Sequence, residues 1–134
     1  MSRPRILLAD DHPAVLKATN GLLKAQFDVV GTVVDGATLV SEALRLCPDV
    51  ILADITLPVL SGIDAARQLR DSASSAKIVF LTVHSEQQFV DACMAEGALG
   101  YVHKSYMKAH LIPAIQAALL GQSYVGPFAP TRYP

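Results

Sequence analysis

Asp49-Val50-Ile51-Leu52-Ala53-Asp54-Ile55-Thr56-Leu57-Pro58 is the stretch on which the fold turns. Its apolar run is too short for a helix and rich in β-branched residues, the pattern of a strand buried on both faces of a parallel sheet. A carboxylate follows where that strand should end, and Pro58 stops regular structure soon after. Ligands of open α/β sheets bind outside the carboxyl ends of the strands, so Asp54 stands where a functional residue would.

Toward the N-terminus, Arg5 to Ala9 reads as a first strand, followed at once by Asp10-Asp11-His12-Pro13. Proline is favoured at the first helical position, and Val15, Thr19, Leu22 and Leu23 then share one helical face. Phe27 to Val34 reads as a second strand, with Gly31 as a weak point or bulge. Val40, Ala43, Leu44 and Cys47 mark the inward stripe of a second helix that Pro48 ends. Toward the C-terminus, Ser61-Gly62 opens a helix carrying Ile63, Ala66 and Leu69, and residues 72–75 form a loop. Lys77 to Leu81 is a fourth strand ending at Thr82. A helix with Phe89, Val90, Cys93 and Met94 follows, closed by Gly97. Ala98 to Val102 is a short fifth strand ending near His103-Lys104. The last helix carries Leu111, Ile115, Ala118 and Leu119 and stops at Gly121, with Pro113 near its start or kinking it.

This alternation predicts a parallel five-stranded sheet with helices on both faces and right-handed crossovers. Residues 1–121 make one domain, and residues 122–134, without periodicity, read as a linker or C-terminal tail. The length of 134 residues suits a single domain with a real core. A formal net charge of −1 leaves no electrostatic footprint for nucleic acid, so DNA contact by this chain alone is not expected. Behind the basic start, Ile6-Leu7-Leu8-Ala9 is too short for a signal peptide or a membrane span. Cys47 and Cys93 have no paired spacing, which predicts reduced thiols and a cytoplasmic location.

The strand ends carry the chemistry: Asp10 and Asp11, Asp54, Thr82, and Lys104. In a sheet ordered 2-1-3-4-5 the first and third strands are neighbours, so the three aspartates share one crevice. Carboxylates that close repel one another unless a cation sits among them, and Mg²⁺ is the natural hard, oxygen-preferring partner. Lys104 would add a fixed positive charge and Thr82 a hydroxyl donor. A carboxylate nucleophile, a divalent cation, an ammonium and a hydroxyl are what phosphoryl transfer to Asp54 requires.

On these residues the chain resembles a response-regulator receiver domain of two-component signalling, of the type found in front of LuxR-type helix-turn-helix domains. The resemblance covers roughly residues 4–121. It rests on Asp10-Asp11, on Asp54 in its Asp-x-x-Leu-Pro run, on Thr82 after a hydrophobic strand, and on Lys104 after Gly100-Tyr101-Val102-His103. It implies a flavodoxin-like fold with five helices, and Mg²⁺ held by Asp10, Asp11, Asp54 and the backbone carbonyl of Thr56. It implies phosphoryl transfer to Asp54 from a sensor histidine kinase, with Thr82 and Lys104 contacting the phosphoryl group. Thr82 and Tyr101 would be the switch pair, and a changed surface on the last two helices and fifth strand would drive homodimerisation and a transcriptional output. Val83 is bulkier than the small residue frequent beside the threonine, and Ser105 stands where many members have proline. The run Gly121-Gln122-Ser123-Tyr124-Val125-Gly126-Pro127 is similar to the linker before the DNA-binding domain. The chain is then either a fragment whose output domain follows residue 134 or a stand-alone receiver.

Two rival classes share some of these residues. An aspartyl-phosphate phosphatase of the haloacid dehalogenase type would have a second acid at Thr56, and the hydroxyl there argues against an enzyme. A receiver-like interaction module that is never phosphorylated typically lacks the acidic pair or the lysine, and this chain has both. Taken singly, Asp11 or His12 could cap a helix, and His84, His103 and His110 have no metal-ligand spacing.

Overall fold

Side chains along each central strand alternate between two faces, both of them buried, and so build two cores, one on each side of a single sheet. The computed structural model describes residues 3–127; Met1, Ser2 and residues 128–134 of the expected tail lie outside them. Strands β1 (Arg5–Ala9), β2 (Asp28–Val33), β3 (Val50–Ala53), β4 (Lys77–Thr82) and β5 (Gly100–His103) alternate with five helices. These are α1 (Pro13–Leu23), α2 (Gly36–Leu46), α3 (Gly62–Asp71), α4 (Gln87–Ala95) and α5 (Met107–Leu119). Leu7, Ala9, Ile51, Ala53, Ile78 and Phe80 face α2, α3 and α4. Their neighbours in sequence, Ile6, Leu8, Val50, Leu52, Val79 and Leu81, face Leu23 of α1 and Leu111, Ala114, Ile115 and Ala118 of α5. A period of two on strands covered on both faces leaves no polar position to spare, which is why these runs are continuously apolar.

All pairings are parallel and the first five strands follow the expected order 2-1-3-4-5. Among the described residues the sheet nevertheless has six strands, not five. Tyr124 and Val125 form β6, paired in parallel with Gly100 and Tyr101 of β5. The added strand is held by the Tyr124 amide on the Leu99 carbonyl (2.8 Å) and the Gly126 amide on the Tyr101 carbonyl (3.0 Å). The Tyr124 hydroxyl also lies 2.6 Å from His110 Nδ1 on α5. The open edge of β5 supplies unpaired backbone groups, and a segment too short for any periodicity satisfies them.

The bulge expected near Gly31 is present: Ile6 pairs with Val29 but Leu7 with Gly31, so one residue of β2 is extra. The stripe assigned to α2 is partly wrong. Leu39 and Ala43 are buried, whereas Leu44 and Cys47 are exposed; the helix ends at Leu46, and Cys47 turns left-handed at φ 49°. Pro113 lies in the interior of α5, preceded by a single 3₁₀ turn at Lys104–Tyr106.

Two glycines hold the β3–α3 loop against the sheet. The Gly36 amide donates to the Pro58 carbonyl (3.1 Å) and the Gly62 amide to the Ile55 carbonyl (2.7 Å). A Cβ at Gly36 would overlap the Leu60 carbonyl, and one at Gly62 the carbonyl of Asp54 itself. Backbone has no rotamer with which to yield, so Gly62→Ala is expected to destabilise the domain by about 2 kcal/mol. A urea melt showing no loss would mean the loop moves freely.

Candidate functional site

Register brings the first acids together. Ala9 pairs with Ala53, and the Asp54 amide donates to the Ala9 carbonyl at 3.0 Å, so Asp10 and Asp54 leave adjacent strands side by side. Both are almost fully buried, at 4% and 3% exposure. One strand further along, Thr82 pairs with His103, and the next residue is Lys104. Its ammonium lies 2.7 Å from Asp10 Oδ2 and 2.9 Å from Asp54 Oδ2. Burial alone would lower the Lys104 pKa, but hydrogen bonds and charge from Asp10 and Asp54 outweigh it and hold the group above its ordinary 10.5.

Asp10 Oδ1 accepts the His12 backbone amide at 2.9 Å and lies 2.8 Å from His12 Nδ1, which is also 3.2 Å from Asp11 Oδ1. No side chain caps α1, although either Asp11 or His12 had the chemistry for it. The other oxygen of Asp54, Oδ1, is buried without a hydrogen-bond partner among the described residues. A buried, unsatisfied carboxylate oxygen calls for a donor or a cation. Asp10, Asp11, His12 and Asp54 bring their ligand atoms within 4.8 Å of one another, so the donor set fits a divalent cation.

The loops above this pocket meet at His84, which has no motif in the sequence. Its amide donates to Thr82 Oγ1 at 3.3 Å, and its carbonyl accepts the Tyr101 hydroxyl at 2.8 Å. Its Nε2 lies 2.9 Å from Oγ1 of the exposed Thr56, and its ring stacks on Phe89 at 4.2 Å. Thr82 and Tyr101 are both fully buried, and burial raises the Tyr101 phenol well above its ordinary value. Val83 is 60% exposed on the rim, outside the buried acids. His12 and His84 are the two site neighbours that spacing did not reveal, since each reaches its partners only through loop geometry.

One titration beyond the pocket bears on stability. Burial pushes the Cys93 thiol from 9.0 up to about 12. Above pH 9 the unfolded chain releases this proton while the folded chain keeps it, so the folded state binds more protons and loses stability as pH rises. Lys104, with its pKa also raised, adds a loss above 10.5. Denaturant midpoints are expected to fall steadily above pH 9, with the cysteine contributing up to about 1.4 kcal/mol per pH unit. Cys93→Ala should flatten the first part of that decline.

Fold and pocket together define a flavodoxin-like α/β receiver domain. The chain belongs to the response regulator receiver domain family, whose model matches residues 6–116. Membership implies phosphoryl acceptance in two-component signalling, by proteins that are signalling components and not generally classed as enzymes. The chain is 37% identical over 121 residues to the uncharacterized transcriptional regulatory protein YxjL of Bacillus subtilis, an alignment covering 89% of this chain and 56% of that one. It is 35% identical to the response regulator GacA of Pseudomonas viridiflava, over 92% of this chain and 58% of the relative. The chain thus spans a little over half the length of these relatives. Among solved structures, a LuxR-family two-component response regulator from Aurantimonas sp. SI85-9A1 superposes with a TM-score of 0.89 at 34% identity, covering 94% of this chain and 91% of that one. The receiver domain of NarL from Mycobacterium tuberculosis shares the fold, with a TM-score of 0.87 at 24% identity, over 91% of this chain and all of that one. No described helix is long and apolar enough to cross a membrane.

Proposed function

We propose that Asp54 accepts a phosphoryl group from a phosphohistidine on a sensor histidine kinase, and that the resulting charge switches the domain to an active, dimerising state. The observation that carries this reading is the shared lysine: Lys104 Nζ sits between Asp10 Oδ2 and Asp54 Oδ2, while Asp54 Oδ1 stays buried and unpartnered. In the transfer, an Asp54 carboxylate oxygen bonds to phosphorus as the phosphorus–nitrogen bond breaks, and the donor imidazole keeps that electron pair. Asp10, Asp11, Asp54 and the Thr56 carbonyl would hold Mg²⁺. That ion, when bound, supplies the charge that neutralises the transferring oxygens. Lys104 is already in place to follow charge from the carboxylate to the phosphoryl oxygens, and Thr82 would add a hydroxyl donor.

A phosphoryl group carries roughly −1.5 to −2 charges. On Asp54 it replaces the carboxylate's single charge, so the pocket gains up to about one negative charge and several acceptor oxygens placed further from the strand end. Lys104 and Thr82 interact differently with the two states, which is what shifts a pre-existing equilibrium. Tyr101 is the natural relay, because its hydroxyl rests on the loop that carries His84 and its carbonyl holds Gly126. The readout would be the surface of α4, β5 and α5, leading to homodimerisation and, in a cytoplasmic protein with a DNA-binding output region, to control of transcription. The one-domain reading of residues 1–121, with a linker after it, belongs to the same proposal, although Tyr124 and Val125 of that following stretch pair with the sheet edge. Incubation with Mg²⁺ and acetyl phosphate should add one phosphoryl group by intact-mass measurement. A chain that stays unmodified, with the donor active on a control receiver, would remove the reading.

A further inference from the structure

We infer that His103 is a positioning residue that ties the turn after Thr82 to the turn that carries Lys104, an inference that rests on the phosphoryl-transfer reading just given. Its imidazole uses both nitrogens. Nδ1 accepts the Ser105 amide at 3.0 Å, so the proton of the neutral ring is on Nε2, which donates to the Val83 carbonyl at 3.0 Å. Thr82 pairs with His103 where the β4–β5 ladder ends. Val83 directly follows Thr82, and Ser105 directly follows Lys104. One ring therefore spans two loops at the point where strand pairing stops fixing their spacing.

A period of two puts Tyr101 and His103 on the same face of β5. They hold successive carbonyls of the β4–α4 loop: Tyr101 donates to that of His84 at 2.8 Å, and His103 to that of Val83, next to Thr82. The ring is also steadied by Tyr106, which packs edge-on against it with centroids 6.0 Å apart. Val83 and Ser105, the two departures from the common receiver pattern, are thus the residues whose backbone holds the imidazole. A proline at position 105 would have no amide for Nδ1 to accept, and the tautomer would no longer be fixed. A phosphoryl group on Asp54 needs the Thr82 hydroxyl and the Lys104 ammonium together, so the spacing of the two turns bears directly on transfer.

Asparagine and glutamine separate the two contacts of the ring. The Asn side-chain oxygen takes the place of Nδ1 and keeps the bond to Ser105, but the side chain stops short of Val83. The Gln amide nitrogen takes the place of Nε2 and keeps the bond to Val83 at the expense of the cap. Asparagine is a good capping residue, so His103→Asn should fold. With the whole chain, MgCl₂ and saturating acetyl phosphate, His103→Asn is expected to lower the maximal labelling rate by about tenfold. Its denaturant midpoint and half-saturating Mg²⁺ concentration should stay at the parent values. His103→Gln should label within about twofold of the parent, because the tether that matters is retained. The opposite ranking of the two variants, an equal loss in both, no loss in His103→Asn, or a loss there matched by a fall in the denaturant midpoint would overturn the inference while leaving Asp54 as acceptor. Failure of the unaltered chain to label would instead remove the phosphoryl-transfer reading, and this inference with it.

Discussion

Asp54→Asn is expected to gain no phosphoryl mass from acetyl phosphate under conditions in which the unaltered chain gains one group. The substitution is nearly isosteric, so the effect isolates chemistry from shape. An amide oxygen carries no full charge and is a poor nucleophile toward phosphorus, and the carboxylate is the group that would carry the acyl phosphate. Structure argues that the variant still folds. Lys104 keeps Asp10 at 2.7 Å, so its ammonium is not abandoned in the interior, and the Asp54 backbone bond to Ala9 is unaffected. Continued single modification at the original rate would place the acceptor elsewhere.

Lys104→Ala is expected to combine a catalytic loss with a large stability loss. Two buried carboxylates, 6% and 4% exposed at their side chains, share this one ammonium. Removing one partner of a buried ion pair leaves uncompensated charge, at a penalty of about 3 kcal/mol. The sign can be checked with cations. If the pocket accepts Mg²⁺, added Mg²⁺ should restore much of the lost stability in Lys104→Ala and do less for the unaltered chain. Denaturant melts with chelator and with Mg²⁺ make that comparison. A variant as stable as the parent in chelator would reduce Lys104 to a solvated lysine. The same melts, read alongside acetyl phosphate labelling, separate lost folding from lost transfer.

How much of this was legible beforehand depends on the range of the interaction. The apolar runs at Ile6 to Ala9, Val50 to Ala53 and Ile78 to Leu81 announce buried parallel strands, because burial on both faces demands continuous hydrophobicity. The positions of Asp10, Asp54 and Thr82 at the strand ends follow from where those runs stop. By contrast, α2 misled. Leu44 and Cys47 look inward by spacing alone, yet Leu39 and Ala43 form the buried stripe, and Cys47 lies past the helix end in a left-handed turn. Tyr124-Val125 has strand-favouring residues but is too short to show a strand period; the free edge of β5 makes it a strand.

The sequence by itself determined the alternation of strand and helix, the order in which chemistry-bearing residues reach the sheet's carboxyl edge, and the family. These rest on periodicity and on residue types at chain positions, which are local properties. Only tertiary structure decided that one lysine bridges two buried acids, that His12 and His84 close on the pocket, and that Gly62 must be glycine beneath Asp54's carbonyl. Each of those contacts depends on strand register and loop approach, set by packing across the whole domain, and no run of neighbouring residues encodes it.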